Sequence, residues 1–522
     1  MNKFHKYPFT YIIYITTAFI IGISLSFYFK NIFMAIISTI IAFILLTIFI
    51  LFLIIKNKNY IFLFYLSFIF ISFSYTTMKY YDIFLNPLNK FNRDIEAYSA
   101  KIIFYDGVIN FKDRYVAYVD LVYDGYDWYN YSGYIRLYYT HTKPIYIGDK
   151  IVVPSKINLY KNILTNFSDS DKIINVLENK MLYGVSNIYP YTNFNIEYTS
   201  FSIINYINKI FLPIRNKIKK YLFNQSNTIT YSIIQALITG DDNIIPKDIH
   251  QNFVDSGIAH ILAISGLHIS MIILIVSFIL SFFNINFYTK ITIATITTII
   301  FYTSITLFSI SAIRASIMAI CILVSYYYDR NKNTLNALFL ACLIILIISP
   351  NAIREVSFQF SFLATLSIVL YYPIFEYLVL NKIKKINNFY IKKILYTTLS
   401  FIFINIITLI FITPFNIYHF STINLTSLIT NIFAIPLTFI IIFSSFITIF
   451  FAFFYTPISY NTLKTSEYFT NLLINISKYF SNIDYFRYKI EINLYTTLLI
   501  IVLIVILGFI FRIIIENKKR CI

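Results

Sequence analysis

The amino-acid sequence predicts a polytopic α-helical membrane protein of about 12 spans, with one small extracytoplasmic β domain inserted after the third span. Three observations predict it. The 522-residue chain is 58% hydrophobic and only 13% charged, against ~45–50% and about 25% in soluble domains. Its apolar residues come in runs of about 20, the length that crosses a hydrocarbon core roughly 30 Å thick. One stretch, 92–200, breaks the pattern with apolar/polar alternation between turn residues.

The formal net charge is +18. Basic loops on the cytoplasmic side supply such an excess in membrane proteins, and attraction to a polyanion supplies it too. Cys321, Cys342 and Cys521 form no CxxC pair, and 92–200 holds no Cys, so neither a disulfide frame nor a zinc knuckle is indicated. No cofactor is expected. Tyr (47) and Phe (54) are abundant alongside Ile, Asn and Lys. An AT-rich coding bias produces that mix, so aromatic content alone does not argue for base stacking.

In chain order, apolar runs at 8–29, 32–55 and 60–78 read as three spans. The first has no small-residue cleavage site and is followed at once by two more, so an uncleaved anchor is expected. Lys3, Lys6, Lys56 and Lys58 then lie in the cytoplasm, which puts the β domain outside. Strands are expected at 100–105, 115–123, 132–139 and 150–154, with turns at Asp106-Gly107, Asp124-Gly125, Ser132-Gly133 and Gly148-Asp149. Short strands without helices suggest a small β-barrel of oligonucleotide-binding (OB-like) type. Tyr126, Trp128 and Tyr129 offer a stacking surface for single strands, although strands favour aromatics in any case. Acidic and basic residues balance in this domain, which argues against a strong electrostatic footprint.

Residues 201–223 show apolar side chains at helical spacing, with Pro213 inside, where a kink or break is expected. Arg215, Lys217, Lys219 and Lys220 make the segment basic. It suits a membrane surface, either against anionic lipid headgroups or as a collar at a pore mouth. A short helix closes at Thr239-Gly240, and Asp241, Asp242, Asn243 and Pro246 make a polar turn. Further spans are expected at 256–283, 287–308, 310–328, 334–349, 356–380 and 394–413, as a broken pair between Phe415 and Tyr455, and at 493–511. Basic residues at Lys290, at Arg330 and Lys332, at Lys382 to Lys393, and in the tail Lys518-Lys519-Arg520 all fall on the cytoplasmic side if 415–436 and 437–455 are separate crossings. Both termini are then cytoplasmic. Residues 461–489 are polar, helix-like and outside. Four parts result: anchor helices at 1–80, the β domain at 92–200, juxtamembrane amphipathic helices at 201–250, and a membrane domain at 251–522.

Within that last part, His260, Ser265, Gly266 and His268 stand in an otherwise apolar segment. Ionisable groups there are costly and face a cavity or a partner. On one helix the two imidazoles are about 80° apart, broadly on one side. They either line a hydrated path or bond local carbonyls while the small residues serve helix packing. A hydrolase triad of Asp255, His260 and Ser265 does not fit: no GxSxG elbow is present and these residues do not converge on one helix. No third metal ligand accompanies the two His. Arg314 sits among small residues, suited either to phosphate or to snorkelling. Asn431 and Pro436 mark an expected helix break, tolerated where it lines a cavity.

Taken together, Ala236–Gly240 with Asp241, the run Ser256-Gly257-Ile258-Ala259-His260-Ile261-Leu262-Ala263-Ile264-Ser265-Gly266-Leu267-His268, Arg314-Ala315-Ser316, Asn336-Ala337-Leu338, Phe358-Gln359-Phe360 and Asn431–Pro436 resemble the ComEC competence family in content and order. The resemblance implies an inner-membrane channel carrying single-stranded DNA into the cytoplasm during natural transformation, with His260, Ser265, Gly266, His268, Arg314, Gln359 and Asn431 along the DNA path. It implies an external DNA receptor and a cytoplasmic motor ATPase. Membrane lipids surround the spans, and the sequence leaves both a monomer and a homodimer open. Many members carry a C-terminal β-lactamase-like nuclease domain. The sequence has no HxHxDH, so a nuclease in trans is expected and the chain itself is not expected to be an enzyme. No GxxxxGK[ST] is present, so the driving force must come from another protein. The alternative is a membrane-embedded enzyme or small-solute transporter built on His260, Ser265 and His268.

Overall fold

The computed structural model describes residues 10–30, 32–54, 61–109, 112–140, 145, 148–160, 181–189, 195–197, 203–242, 244–262, 264–307, 310–327, 334–383, 388–452, 456–483 and 487–520. Lys3, Lys6, Lys56, Lys58, Arg330, Lys332, Lys384 and Lys385, on which the expected topology leaned, lie outside them. The chain divides into two compact units, one of 1–213, 307–310 and 329–355, the other of 214–306, 311–328 and 356–522.

In the first unit, α1 (Thr10–Phe29), α2 (Ile32–Ile54) and α3 (Ile61–Lys79) match the three expected spans, and α4 (Tyr81–Leu85) follows. α1 packs on α3 and on α11 (Thr334–Ile348), and α2 packs on α3. Small and hydroxyl residues make these contacts, as is usual where helices meet within lipid. A Cβ on Gly22 would stand 2.1 Å from the Ile69 carbonyl, so only glycine lets α1 and α3 approach so closely. Thr16 donates to the Phe339 carbonyl at 3.2 Å and Tyr75 to that of Ile347 at 2.6 Å.

The β domain is β1 (Ala97–Ile109), β2 (Lys112–Tyr123), β3 (Trp128–Tyr129), β4 (Gly133–Tyr139), β5 (Lys150–Val153), β6 (Ile157–Leu159), β7 (Leu182–Ile188) and β8 (Asn195–Glu197). The four expected strands are all present, with β1 and β2 longer than anticipated. The sheet order is β6-β7-β4-β2-β1-β5-β8, with β3 on β2. Among the described strands only β4 and β7 pair in parallel. Among the described residues the sheet is an open path and not the closed barrel expected; its end strands β6 and β8 each have one neighbour. Three register shifts between β1 and β2 bend the long ribbon without closing it. Every second residue of β4 is buried, the mark of one covered face.

In the second unit stand α5 (Ile203–Gln225, entering across the division), α6 (Thr228–Thr239), α7 (Lys247–Asp255), α8 (Gly266–Leu280), α9 (Phe287–Ile305), α10 (Ile310–Tyr327), α12 (Val356–Ile383), α13 (Phe389–Phe420), α14 (Ser427–Ala452), α15 (Thr456–Ser481) and α16 (Leu494–Arg520). Two short strands, β9 (Thr422–Asn424) and β10 (Arg487–Lys489), pair antiparallel. α14 lies against α15, α12 against α13, and α8 against α9.

Across the described residues, five helical segments are long and apolar enough to cross a membrane: Ile12–Phe29, Val356–Val379, Phe389–Phe420, Ser427–Ala452 and Leu494–Arg512. Shorter apolar helices occur at Met34–Ile48, Thr228–Thr239, Gly266–Leu280, Ser311–Val324 and Thr334–Ile348. The protein is therefore a mostly helical membrane protein.

The helix ends expected between 413 and 415 and at Pro436 do not occur, and Pro213, where a kink or a break is expected, does not end its helix. α5 is continuous through Pro213, α13 through Pro414, and α14 through Pro436. A proline removes one hydrogen bond and kinks a helix, and surrounding packing can hold the helix together. The break after α13 instead falls at Ser421, whose left-handed backbone (φ 54°) ends the helix just before β9. The stretches 394–413, 415–436 and 437–455 are thus two helices and not three.

Candidate functional site

The expected 256–283 span is also divided. α7 ends at Asp255, the backbone turns at Gly257 with φ 75°, His260 lies in a single 3₁₀ turn, and α8 starts only at Gly266. The two imidazoles are therefore not on one helical face. Ser265 is the reason α8 starts where it does. Its side chain accepts from the His268 N–H while His268 Nδ1 accepts from the Ser265 N–H at 3.1 Å, a capping box with histidine in place of the usual Glu or Gln. Ser265 Oγ also lies 2.9 Å from His268 Nδ1, and the far edge of that ring faces the Ile261 backbone. His268 is buried at 1% exposure. It organises the start of α8 and does not itself line an opening.

His260 differs. Protein surrounds it at longer range and its ring bonds the Gly257 backbone, yet the residue is exposed. Gly266 and Ser270 are exposed as well, and Ser265 is half-buried. A Cβ built on Gly266 would meet only Ala315 Cβ, at 3.9 Å, so open space lies before it. Polar groups exposed within an apolar segment face a cavity or a partner.

Contacts run from this stretch through the other expected segments and return to it. Ala315 follows Arg314 on α10. Arg314 is buried at 4% exposure, so it does not snorkel; its guanidinium donates to Ser311 Oγ at 2.9 Å and to Ser357 Oγ at 3.1 Å, tying α10 to the first turn of α12. Two residues further on, Gln359 Oε1 lies 2.8 Å from His419 Nε2. His419 stacks on Phe415 at 5.8 Å and meets Phe360 edge-on. Beyond α13, Asn424 Nδ2 donates to the Asp255 carbonyl at 2.6 Å, which closes the circuit beside Gly257. Asn431, on α14, is half-buried, and its Oδ1 has no hydrogen-bond partner among the described residues.

Ser357, His419 and Asn424 were not singled out from the sequence. His419 had a visible signal, an imidazole in an apolar run. The other two had none, because common polar residues acquire meaning only from their partners.

Gly257 bears on function directly. A Cβ there would stand 2.6 Å from Ser427 Cβ, and the positive φ is itself unfavourable for other residues. Gly257→Ala is expected to lower the melting temperature of the detergent-solubilised protein by several degrees, a loss of about 1–3 kcal/mol. Gly266→Ala, which has room, is expected to leave it unchanged.

The basic residues of α5 are not all available at a surface. Arg215 donates to Asp241 Oδ2 at 2.6 Å, Lys219 pairs with the same oxygen, and Gln235 Nε2 lies 3.4 Å from it. Burial pushes the Asp241 carboxyl up, but Arg215 and then Lys219 outweigh it and hold the group below the ordinary carboxylate range. Lys217 and Lys220 remain exposed, so half of the expected collar is internal structure.

Tyr126, Trp128 and Tyr129 lie in the β domain at the turn joining β2 to β3. Tyr126 is 87% and Trp128 46% exposed. Tyr129 is half-buried against Phe91 at 5.7 Å and accepts from Arg93 at 2.7 Å. Asp124 shapes the turn by accepting from the Tyr126 and Asp127 N–H groups, each at 3.0 Å. The Asp127 N–H, then the Arg93 guanidinium, hold its carboxyl down at about 2. Tyr126 is the freely exposed ring; the Trp128 ring packs on Tyr123 at 5.2 Å, and Tyr129 is committed to structure. Among the described residues no group of three or more His, Cys, Asp or Glu is placed to hold a metal ion.

The family described as "Competence protein" matches residues 237–516. ComE operon protein 3 of Bacillus subtilis (strain 168) is 24% identical over 163 residues, 30% of this chain and 21% of that protein. The chain thus aligns with well under two thirds of that relative's length. No solved structure matches. The matched region takes in α8, Arg314, Gln359, His419 and Asn431, so it covers the whole polar circuit and more than half of the chain, and the protein belongs to the ComEC family of competence proteins.

Proposed function

We propose that the protein is a bacterial inner-membrane channel through which single-stranded DNA enters the cytoplasm during natural transformation. The observation that carries this reading is the set of exposed His260, Gly266 and Ser270 with half-buried Ser265, within a unit otherwise built of apolar helices. A polyanion cannot cross lipid and needs donors that replace water without holding it fast. Hydroxyls and an imidazole meet that need; a dense lysine lining would bind and not release. Arg314 contributes by fixing α10 to α12, and Gln359 with His419 by joining α12 to α13. Tyr126 and Trp128 are suited to receive bases before entry.

On this reading the chain performs no covalent chemistry. An external receptor delivers DNA, a nuclease in trans removes one strand, and a cytoplasmic motor ATPase pulls. A strain lacking the protein is expected to bind fluorescent DNA at its surface and to admit none to the cytoplasm. Normal cytoplasmic signal in that strain would overturn the proposal.

A membrane-embedded enzyme is the second reading, favoured by the 2.9 Å contact of Ser265 Oγ with His268 Nδ1. The capping box already accounts for that contact. Labelling of Ser265 by a fluorophosphonate would favour the enzyme.

A further inference from the structure

The segment carrying His260 is held from the far end of the chain. β9 follows α13 and β10 precedes α16, and they pair with Arg487 opposite Asn424. Both residues reach the last turn of α7. Asn424 Nδ2 donates to the Asp255 carbonyl at 2.6 Å and approaches that of Val254 at 3.4 Å. Arg487 Nη1 lies 3.2 Å from Asp255 Oδ1, while its Nη2 donates to the Ser481 carbonyl. Ser481 Oγ in turn donates to Asn252 Oδ1 at 3.1 Å, and Gln251 Nε2 to Asp255 Oδ1 at 3.1 Å. Asp255 is thus the point where α7, the end of α15 and the β9/β10 ribbon converge, just before the Gly257 turn.

We infer that Asp255 and Arg487 are a positioning pair: carried by the β9/β10 ribbon, they set how far the His260 segment stands open. The inference rests on the channel reading of that segment. Three observations support it. The segment has left α7 and not yet entered α8, so helix geometry does not fix its path, and Asn424 takes up the carbonyls at its start. Each member of the ion pair is 27% exposed, and partly exposed pairs add little to stability; placement is what this pair supplies. Gly257, pressed against Ser427, leaves the turn no slack, so a shift at Asp255 passes on to His260.

The test uses the full-length protein in its own membrane. A His260→Cys reporter, with Cys321, Cys342 and Cys521 changed to Ala, is treated with a small charged methanethiosulfonate. Arg487→Gln and Asp255→Arg are each expected to change the rate of thiol modification by about tenfold, and the exchange Asp255→Arg with Arg487→Asp to return it to within about twofold. Arg487→Lys, which keeps the charge without the fork, is expected to fall between. Unchanged rates in the single variants, or no recovery in the exchange, overturn the positioning role; the exchange and the Lys variant keep the test decisive if Arg487→Gln fails to accumulate. DNA entry is measured in the same variants with His260 intact. Thiol rates that follow the pair while DNA entry does not would uphold the positioning role and remove the channel reading instead.

Discussion

A His260→Ala variant is expected to reach the membrane in normal amount and to admit no labelled DNA to the cytoplasm. The imidazole is exposed and lies in a short turn between two helices. Its loss removes little packing, and substitutions at such positions usually change stability by less than about 0.5 kcal/mol. Ser265→Ala removes the cap of α8, worth ~1 kcal/mol, and is expected to give the same loss of uptake with slightly lower stability. His268→Ala removes a buried ring as well as half of the capping box, so reduced accumulation is expected alongside lost uptake. Quantitative blotting of membranes beside a fluorescence uptake assay separates the two effects. Unchanged uptake in His260→Ala would reduce the exposed set to ordinary helix packing.

Asp241→Ala is expected to produce the largest loss of stability. It leaves the Arg215 guanidinium, 2% exposed, and the Lys219 ammonium facing each other without their shared carboxylate. Breaking a buried pair by removing one partner typically costs about 3–5 kcal/mol. Low protein levels and a lowered melting temperature are the expected readouts. The contribution depends on pH in a defined direction. Because the folded carboxyl titrates below its unfolded value, the stabilisation is complete above about pH 4. It is lost as pH falls through the lower folded value. The melting-temperature gap between wild type and Asp241→Ala should therefore be constant near neutrality and close in acid. A gap that widens in acid would mean that Asp241 is not held as an ion.

Much of this protein was legible in its sequence. Runs of apolar residues are a local property, and they located α1, α2, α3, α9 and α10 within a few residues. Alternation located β1, β2, β4 and β5 in the same way, although the turn expected at Asp106-Gly107 lies inside β1. The order of short polar motifs sufficed to suggest the family, because each motif is contiguous. Helix ends near prolines misled, since the effect of a proline on a helix depends on the packing around it; the helices expected to end after 413 and at Pro436 run on through Pro414 and Pro436.

By itself, then, the sequence determined that the chain inhabits a membrane, where its β domain lies, and which segments carry uncommon polar residues. Only the tertiary structure decided what those residues do. It separated His260 from His268 by starting a new helix at Ser265, turned Arg215 and Lys219 inward onto Asp241, and bonded Arg314 to Ser357. It also joined Gln359 to His419 across 60 positions and Asn424 to Asp255 across 169. The physical reason is range. Helix and strand periodicity arise from neighbours within a few residues, whereas a hydrogen bond inside a low-dielectric bundle is made by whichever groups the folded chain brings together.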